Sequence, residues 1–427
     1  RLLVSARARK ILSDPGGITV HRTDIPSGPR VFTEVIPAVR SVTVGVWVPI
    51  GSRHETPATA GATHFLEHLL FKGTRRRSAF DIAADVEGVG GEINAFTTKE
   101  YTCYHVRLLD EHLDVAVDVL ADMLAASLLR TEDIESERRV VLEEIAMSED
   151  DPVDVARQEL EARMFAGHAL ADPVAGTVAS VSGMRAAALR GHYRRFYTPD
   201  NYVITVVGSA SHQRVVSAVR KAFGVAQSPL RPPRAPRPLR TVEPGRHHLR
   251  RSFEQVNLMR GYPALARGDE RRYAMAVLHT VLGGGMSSRL FQEVRERRGL
   301  AYSVAAFRSS YEDAGIFGVH AGCAPESVEP TFEVIDAVLR DVVSAGIAEA
   351  ELAAAKNQVK GQLVLDLEDP GVRLMRLGVR ALFDEPIIGL SEGLAAVDSV
   401  RKAEVEALAE EILQGPAVDV TVGEAHS

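Results

Sequence analysis

His64 and His68 stand four residues apart in the stretch 63–74, THFLEHLLFKGT, with Glu67 directly before the second histidine. On a helix turning about 100° per residue, the histidines lie about 40° apart and Glu67 about 60° to the other side of His64. All three side chains therefore share one face of an otherwise apolar segment. Two imidazoles at this spacing can chelate one divalent ion, and a carboxylate beside them can take a proton from water. A lone histidine on such a helix is usually a satisfied polar residue. Three ionisable groups buried together are costly unless a metal engages them.

A catalytic zinc site takes three protein ligands and leaves one position open, so a third ligand must come from elsewhere. The candidate segment is 131–148, TEDIESERRVVLEEIAMS. Glu137 and Glu144 are two helical turns apart and share a face with Val141, whereas Glu143 points about 100° away and reads as solvated. Taken alone, two glutamates at this spacing on a charged helix carry no functional meaning.

The elements around these residues form two similar series. In the first half, RVFTEVI and SVTVGVWVPI read as strands rich in valine and threonine. The histidine helix follows, with Lys72 in its last turn and Gly73 placed to end it. Ser78 and Asp81 make a capping box for a second helix that stops at Gly88, Gly90 and Gly91. EINAFTTKEYTCYHVRLL is the next strand region, and two long helices run from about Glu111 to Met147. The second half repeats the order: QVNLMRGYPA a strand, RRYAMAVLHTVLGGG and SSRLFQEVRERRG helices, LAYSVAAFRSS and GIFGVHAG strands, then helices from about Pro325 to Leu367. Laying 131–145 over 349–363 matches Ile134 with Leu352 and Val141 with Val359. At that offset Glu144 falls on Gln362 and Glu137 on Ala355. The fold class expected is α+β, a duplicated domain whose halves each pack helices on a mainly antiparallel sheet, with one half carrying acids that the other lacks.

Between the halves lies SPLRPPRAPRPLR, with arginine at 231, 234, 237 and 240. That spacing of three matches the polyproline II repeat and reads as a semi-rigid spacer. The expected division is 1–227 for the metal-bearing domain, 228–246 for the linker and 247–427 for the second domain. A chain of 427 residues fits two or three domains. Its net charge of −7 gives no reason to expect nucleic acid or an anionic membrane as partner. No apolar run approaches the ~20 residues that span a bilayer. Cys103 and Cys323 are too sparse for a disulfide scaffold and fit a reducing compartment. RLLVSARARK lacks the apolar core of a secretory signal, so the cytoplasm is the expected location. The preference for arginine over lysine points to a GC-rich bacterial genome.

His64-Phe65-Leu66-Glu67-His68, followed by Glu144 in ERRVVLEEI, resembles the inverted zinc-peptidase motif. With FLEHLLFKGT, GGEINAFTTKEYTCY and GGGMSSRLFQEVRERRGLAYSV, most of the chain is similar to the pitrilysin and mitochondrial processing peptidase family, above all its bacterial two-domain members. The resemblance implies His64, His68 and Glu144 as ligands of one zinc ion per chain and Glu67 as general base. It implies Glu137 as an acid orienting a histidine, and Asn94 and Ala95 as the edge strand on which an extended peptide lies. Arg295 and Tyr302 match a pair that faces the metal, holding a substrate carbonyl and stabilising the tetrahedral oxyanion. Arg297 and Arg298 read as a charged helix end.

The implied activity is hydrolysis of peptides or unfolded segments, Glu67 taking the proton of water and passing it to the leaving amine. The family builds a closed chamber from four such domains. A homodimer of this chain would supply them, with Arg295 and Tyr302 reaching the partner's zinc. Two other readings follow from the same resemblance: a non-catalytic assembly subunit, or a presequence-processing enzyme paired with a different homologue. The intact zinc motif and Arg295–Tyr302 pair favour a catalyst. The acidic run SEDDPVD could attract basic peptides but reads as a solvated loop.

Overall fold

The computed structural model describes residues 8–224, 242 and 244–424; of the expected linker 228–246, residues 228–241 and 243 lie outside them, and Gly245 and Arg246 already belong to the strand Gly245–Arg250. Two compact units are present. The first takes its described residues from within Arg1–Ile145, Pro173–Ala235 and Leu365–Ser391, the second from within Ala146–Asp172, Pro236–Val364 and Glu392–Ser427. Each unit is thus assembled from both halves of the sequence.

The first unit holds a seven-stranded sheet in the order Arg9–Ser13, Thr19–Asp24, Arg30–Val35, Val203–Gly208, Ser41–Val48, Thr102–Leu109, Glu92–Thr97. Arg30–Val35 and Val203–Gly208 run parallel, and every other pairing is antiparallel. Side-chain alternation along Ser41–Val48 divides two cores. Val42, Val44, Val46 and Val48 face the helices Ala62–Leu69 and Leu113–Ala126, while Trp47 faces the opposite side with Leu374, Leu377 and Ala381 of the helix Pro370–Leu382. Trp47 is fully buried and its indole N–H donates to Thr205 Oγ1 at 2.7 Å.

The second unit repeats the plan with five strands, Ala301–Ser310, Gly315–Cys323, Val256–Pro263, Val418–Gly423, Gly245–Arg250, of which only the last two pair in parallel. One face packs on helices such as Arg272–Gly283 and Val328–Ser344, and the other on Pro152–Met164 through Val155, Leu160 and Met164. A helix from each half therefore covers the outer sheet face of the unit built mainly by the other half. Both exchanged helices begin at Asp-Pro. Asp151 accepts from the Val153 and Asp154 amides, and Asp369 from the Val372 amide, while proline fills the first helical position. The acidic run is consequently a junction between helices: Thr131–Asp150 continues through its first three residues, and Asp151 caps the next helix.

The strand and helix order expected for both halves is present. The histidine helix is shorter than expected, ending at Leu69 before Lys72. Tight i→i+3 bonds, from Phe71 N–H to His68 O and Lys72 N–H to Leu69 O, replace its last turn. Gly73 then turns the chain at φ +129°. Among the described residues, no helix is long and apolar enough to cross a membrane.

Candidate metal centre

The helix Ala62–Leu69 is held by its apolar side, where Phe65, Leu66 and Leu69 are fully buried, so His64, Glu67 and His68 are turned the other way. Its start has no capping side chain of its own, because Gly61 occupies the cap at φ +90°. Glu55 supplies one instead: its buried carboxylate accepts from the Gly61 amide at 2.7 Å and the Thr63 amide at 2.6 Å. A negative charge at a helix start also opposes the positive end of the helix dipole.

Ile134, Val141 and Ile145 bury one face of Thr131–Asp150 and thereby aim Glu137 and Glu144 at the histidines. Glu144 Oε2 lies 3.6 Å from His64 Nε2 and 3.4 Å from His68 Nε2. Glu143 is exposed, as expected. The two imidazole centroids are 4.7 Å apart. One donor atom from each of the three residues falls within 4.8 Å of the others, and among the described residues this is the one cluster of histidine, cysteine and acid groups that meets. A tetrahedral ion with bonds of about 2.0–2.2 Å sets its donors roughly 3.3–3.6 Å apart. The separations to Glu144 match that spacing, and a mixed N,N,O set suits zinc.

Electrostatics favour the same use. Burial, with His68 beside it, lowers the His64 pKa to about 4, so its ring is neutral near pH 7 and offers a lone pair. His64 Nδ1 is buried and has no hydrogen-bond partner among the described residues. Buried Glu137 lies 3.0 Å from His68 Nδ1 and 2.5 Å from Lys72 Nζ. Burial alone would raise the Glu137 pKa, but the hydrogen bonds from His68 and Lys72 outweigh it and hold the carboxyl below its usual range. An ionised carboxylate only accepts, so His68 Nδ1 must be the donor, and its Nε2 is left to face Glu144. For His68 burial lowers the pKa, yet the Glu137 bond and the charges of Glu144 and Glu67 outweigh it and raise the value. Burial raises the pKa of Glu67, partly offset by a hydrogen bond from Thr97.

Asn94 and Ala95 lie on Glu92–Thr97, which among the described residues is an edge strand paired with Thr102–Leu109 alone. The Ala95 amide donates to Asn94 Oδ1 at 2.8 Å. Arg295 and Tyr302 belong to the second unit, where they meet each other. The Arg295 guanidinium stands 5.1 Å from the Tyr302 ring and 4.9 Å from Phe291, on the π-helical turn Phe291–Glu296. Tyr302 is 75% exposed at the start of the edge strand Ala301–Ser310. Glu293 takes up both Arg297 and Arg298.

Three contributors were not found from the sequence: Glu55, Lys72 and Thr97. Strand parity could have exposed Thr97, because Ile93, Ala95 and Thr97 must share one face of EINAFT. Nothing comparable marked Glu55, whose role depends on a loop.

Residues 30–178 match the family model described as insulinase, peptidase family M16, and residues 184–359 match the model described as the peptidase M16 inactive domain. The chain is 48% identical to an uncharacterized zinc protease of Streptomyces coelicolor, over 96% of this chain and 90% of that protein. It is 39% identical to the uncharacterized zinc protease YmxG of Bacillus subtilis, over 92% and 95% respectively. Two solved structures share the fold at 20% identity. A peptidase M16 inactive domain from Pseudomonas fluorescens gives a TM-score of 0.87 over 96% of this chain and 98% of that one. A protease from Helicobacter pylori gives 0.86 over 98% and 99%.

Proposed function

The chain belongs to peptidase family M16, and on that premise we propose that it is a zinc-dependent endopeptidase acting on peptides or unfolded segments inside a closed chamber. The convergence of His64, His68 and Glu144 beside Glu67 carries this reading. His64, His68 and Glu144 hold the ion, with Glu137 fixing the His68 ring from behind. Bound zinc supplies Lewis acidity, polarising a carbonyl and acidifying water. Glu67 takes the water proton and delivers it to the leaving amine, so no covalent enzyme intermediate forms. The edge strand with Asn94 and Ala95 hydrogen-bonds the peptide backbone, a mode of binding that admits many sequences. Arg295 and Tyr302 steady the scissile carbonyl and its oxyanion.

One zinc per chain is expected, bound in the first unit. The second half has no H-x-x-E-H, and Gln362 occupies the place of Glu144 in the repeat. Metal analysis should give one equivalent for the native chain and near none for His64→Ala/His68→Ala. Chelation should stop cleavage of an unstructured peptide and zinc should restore it. Two equivalents, or zinc retained by the double variant, would overturn the site. Full zinc with no hydrolysis would instead favour an assembly subunit.

A homodimer supplies four domains, and in this reading Arg295 and Tyr302 serve the partner's metal. Glu67→Gln and Tyr302→Phe homodimers should then both be severely impaired, while mixing them with subunit exchange should restore activity. Random exchange makes about half the dimers mixed, each with one intact site, so recovery should approach about a quarter of the native rate. Exchange shown by co-purification of tagged subunits, without recovery, would place the completed site within one chain.

A further inference from the structure

We propose that Thr97 is the positioning residue for Glu67. The assignment rests on Glu67 acting as the general base. Thr97 closes the edge strand Glu92–Thr97, where side chains alternate between two faces. Phe96 turns toward Trp47, at 6.2 Å between ring centroids, while Ile93 and Ala95 pack against the core that holds the histidine helix. Thr97 shares the parity of Ile93 and Ala95, and its hydroxyl donates to Glu67 Oε2 at 2.5 Å.

The direction of that bond is set by its neighbours. Thr102 Oγ1 lies 3.4 Å from Thr97 Oγ1, but the Thr102 proton goes to the Ile50 carbonyl at 2.9 Å. The proton of Thr97 therefore has the Glu67 carboxylate as its stronger acceptor. Among the described residues this is the one hydrogen bond made by that carboxylate. A glutamate's last torsion is broad and roughly two-fold, so an unheld carboxylate samples many orientations. Pinning Oε2 leaves Oε1 free, in a fixed attitude, to receive the proton. Hydrogen bonds to an ionised acceptor are the strong kind, which suits this task.

The placement also joins two roles on one strand. Ala95, where a peptide backbone would lie, is two residues from Thr97. Seating the substrate and orienting the base thus depend on the same short edge.

Thr97→Val keeps the side-chain shape and removes the hydroxyl, whereas Thr97→Ser keeps the hydroxyl. With an unstructured peptide, Thr97→Val should lower kcat about 10–100-fold, the usual scale for such supporting hydrogen bonds, at unchanged KM and zinc content. Thr97→Ser should return most of the lost kcat. In crystals of Thr97→Val, the Glu67 carboxylate should spread over several orientations while His64, His68 and Glu144 stay in place. A native kcat with one Glu67 orientation in Thr97→Val would overturn the inference, as would equal losses in the valine and serine variants. If the native chain hydrolysed no peptide at all, the peptidase reading would fail. The crystallographic comparison would still decide whether Thr97 orients Glu67.

Discussion

Glu67→Gln should retain zinc and lose hydrolysis by at least about 10²–10⁴-fold, the range over which a positioned general base contributes. The substitution preserves shape, and its amide oxygen can still accept from Thr97. What it cannot do is take a proton from water. None of the three donors is altered, so zinc content should equal that of the native chain. A stability measurement adds a second sign. Burial raises the Glu67 pKa, which means that its charged form is disfavoured in the folded state. A carboxyl with a folded pKa above its unfolded value weakens folding once the pH exceeds the unfolded value. The neutral amide removes that cost, so the metal-free Gln variant should melt at or above the native temperature near pH 7. Turnover within tenfold of native would remove Glu67 from the role of base.

Gly378→Ala should destabilise the first unit by about 1–3 kcal/mol or more, the range for overpacked cores. Alanine is normally better than glycine inside a helix by about 1 kcal/mol, so helix propensity alone predicts the opposite sign. Packing decides. A Cβ on Gly378 would stand 2.0 Å from Trp47 Cε2 and Cζ2. The indole cannot step aside cheaply, because it is fully buried and its N–H is bound to Thr205. Breaking that bond would leave a buried donor unsatisfied, at roughly 1–3 kcal/mol. Trp47 is the chain's only tryptophan, so its fluorescence in a urea titration reads this packing directly. An unchanged midpoint would mean that Pro370–Leu382 does not lie against Trp47.

The histidine pair of the candidate centre was legible because its chemistry is written in local spacing, whereas the roles of Glu137 and Glu144 came from the family resemblance. A separation of four positions from His64 to His68, and of two turns from Glu137 to Glu144, fixes shared faces before any tertiary contact is known. Glu137 was read as orienting a histidine and does reach His68, but Lys72 was placed within a helix that ends before it. Thr97 and Glu55 were not legible, since a threonine in a strand or a glutamate in a loop acquires its role only from what folds against it. The exchanged helices show the same limit at larger scale. Both Asp-Pro starts stand in the sequence, and an apolar face announces that a helix will be covered. It does not say by which sheet. Burial is a local property, whereas the choice of partner depends on residues far away in sequence, as Trp47 is from Leu374 or Leu160 from Met259.

That exchange also imposes an order on synthesis. Every strand of the first sheet, and all of His64, His68 and Glu144, precede Gly208, yet the helix that covers Trp47 ends at Leu382. At the usual 5–20 residues per second, the ribosome needs roughly 10–35 s to add the roughly 170 residues between them. Throughout that interval the nascent chain already holds the three candidate metal donors, while Trp47, Phe32, Val203 and Val207 lack their cover. Translation past Leu382 is what closes the amino-terminal half, so a stalled or truncated chain would carry the motif on an open sheet, exposed to chaperones and to aggregation.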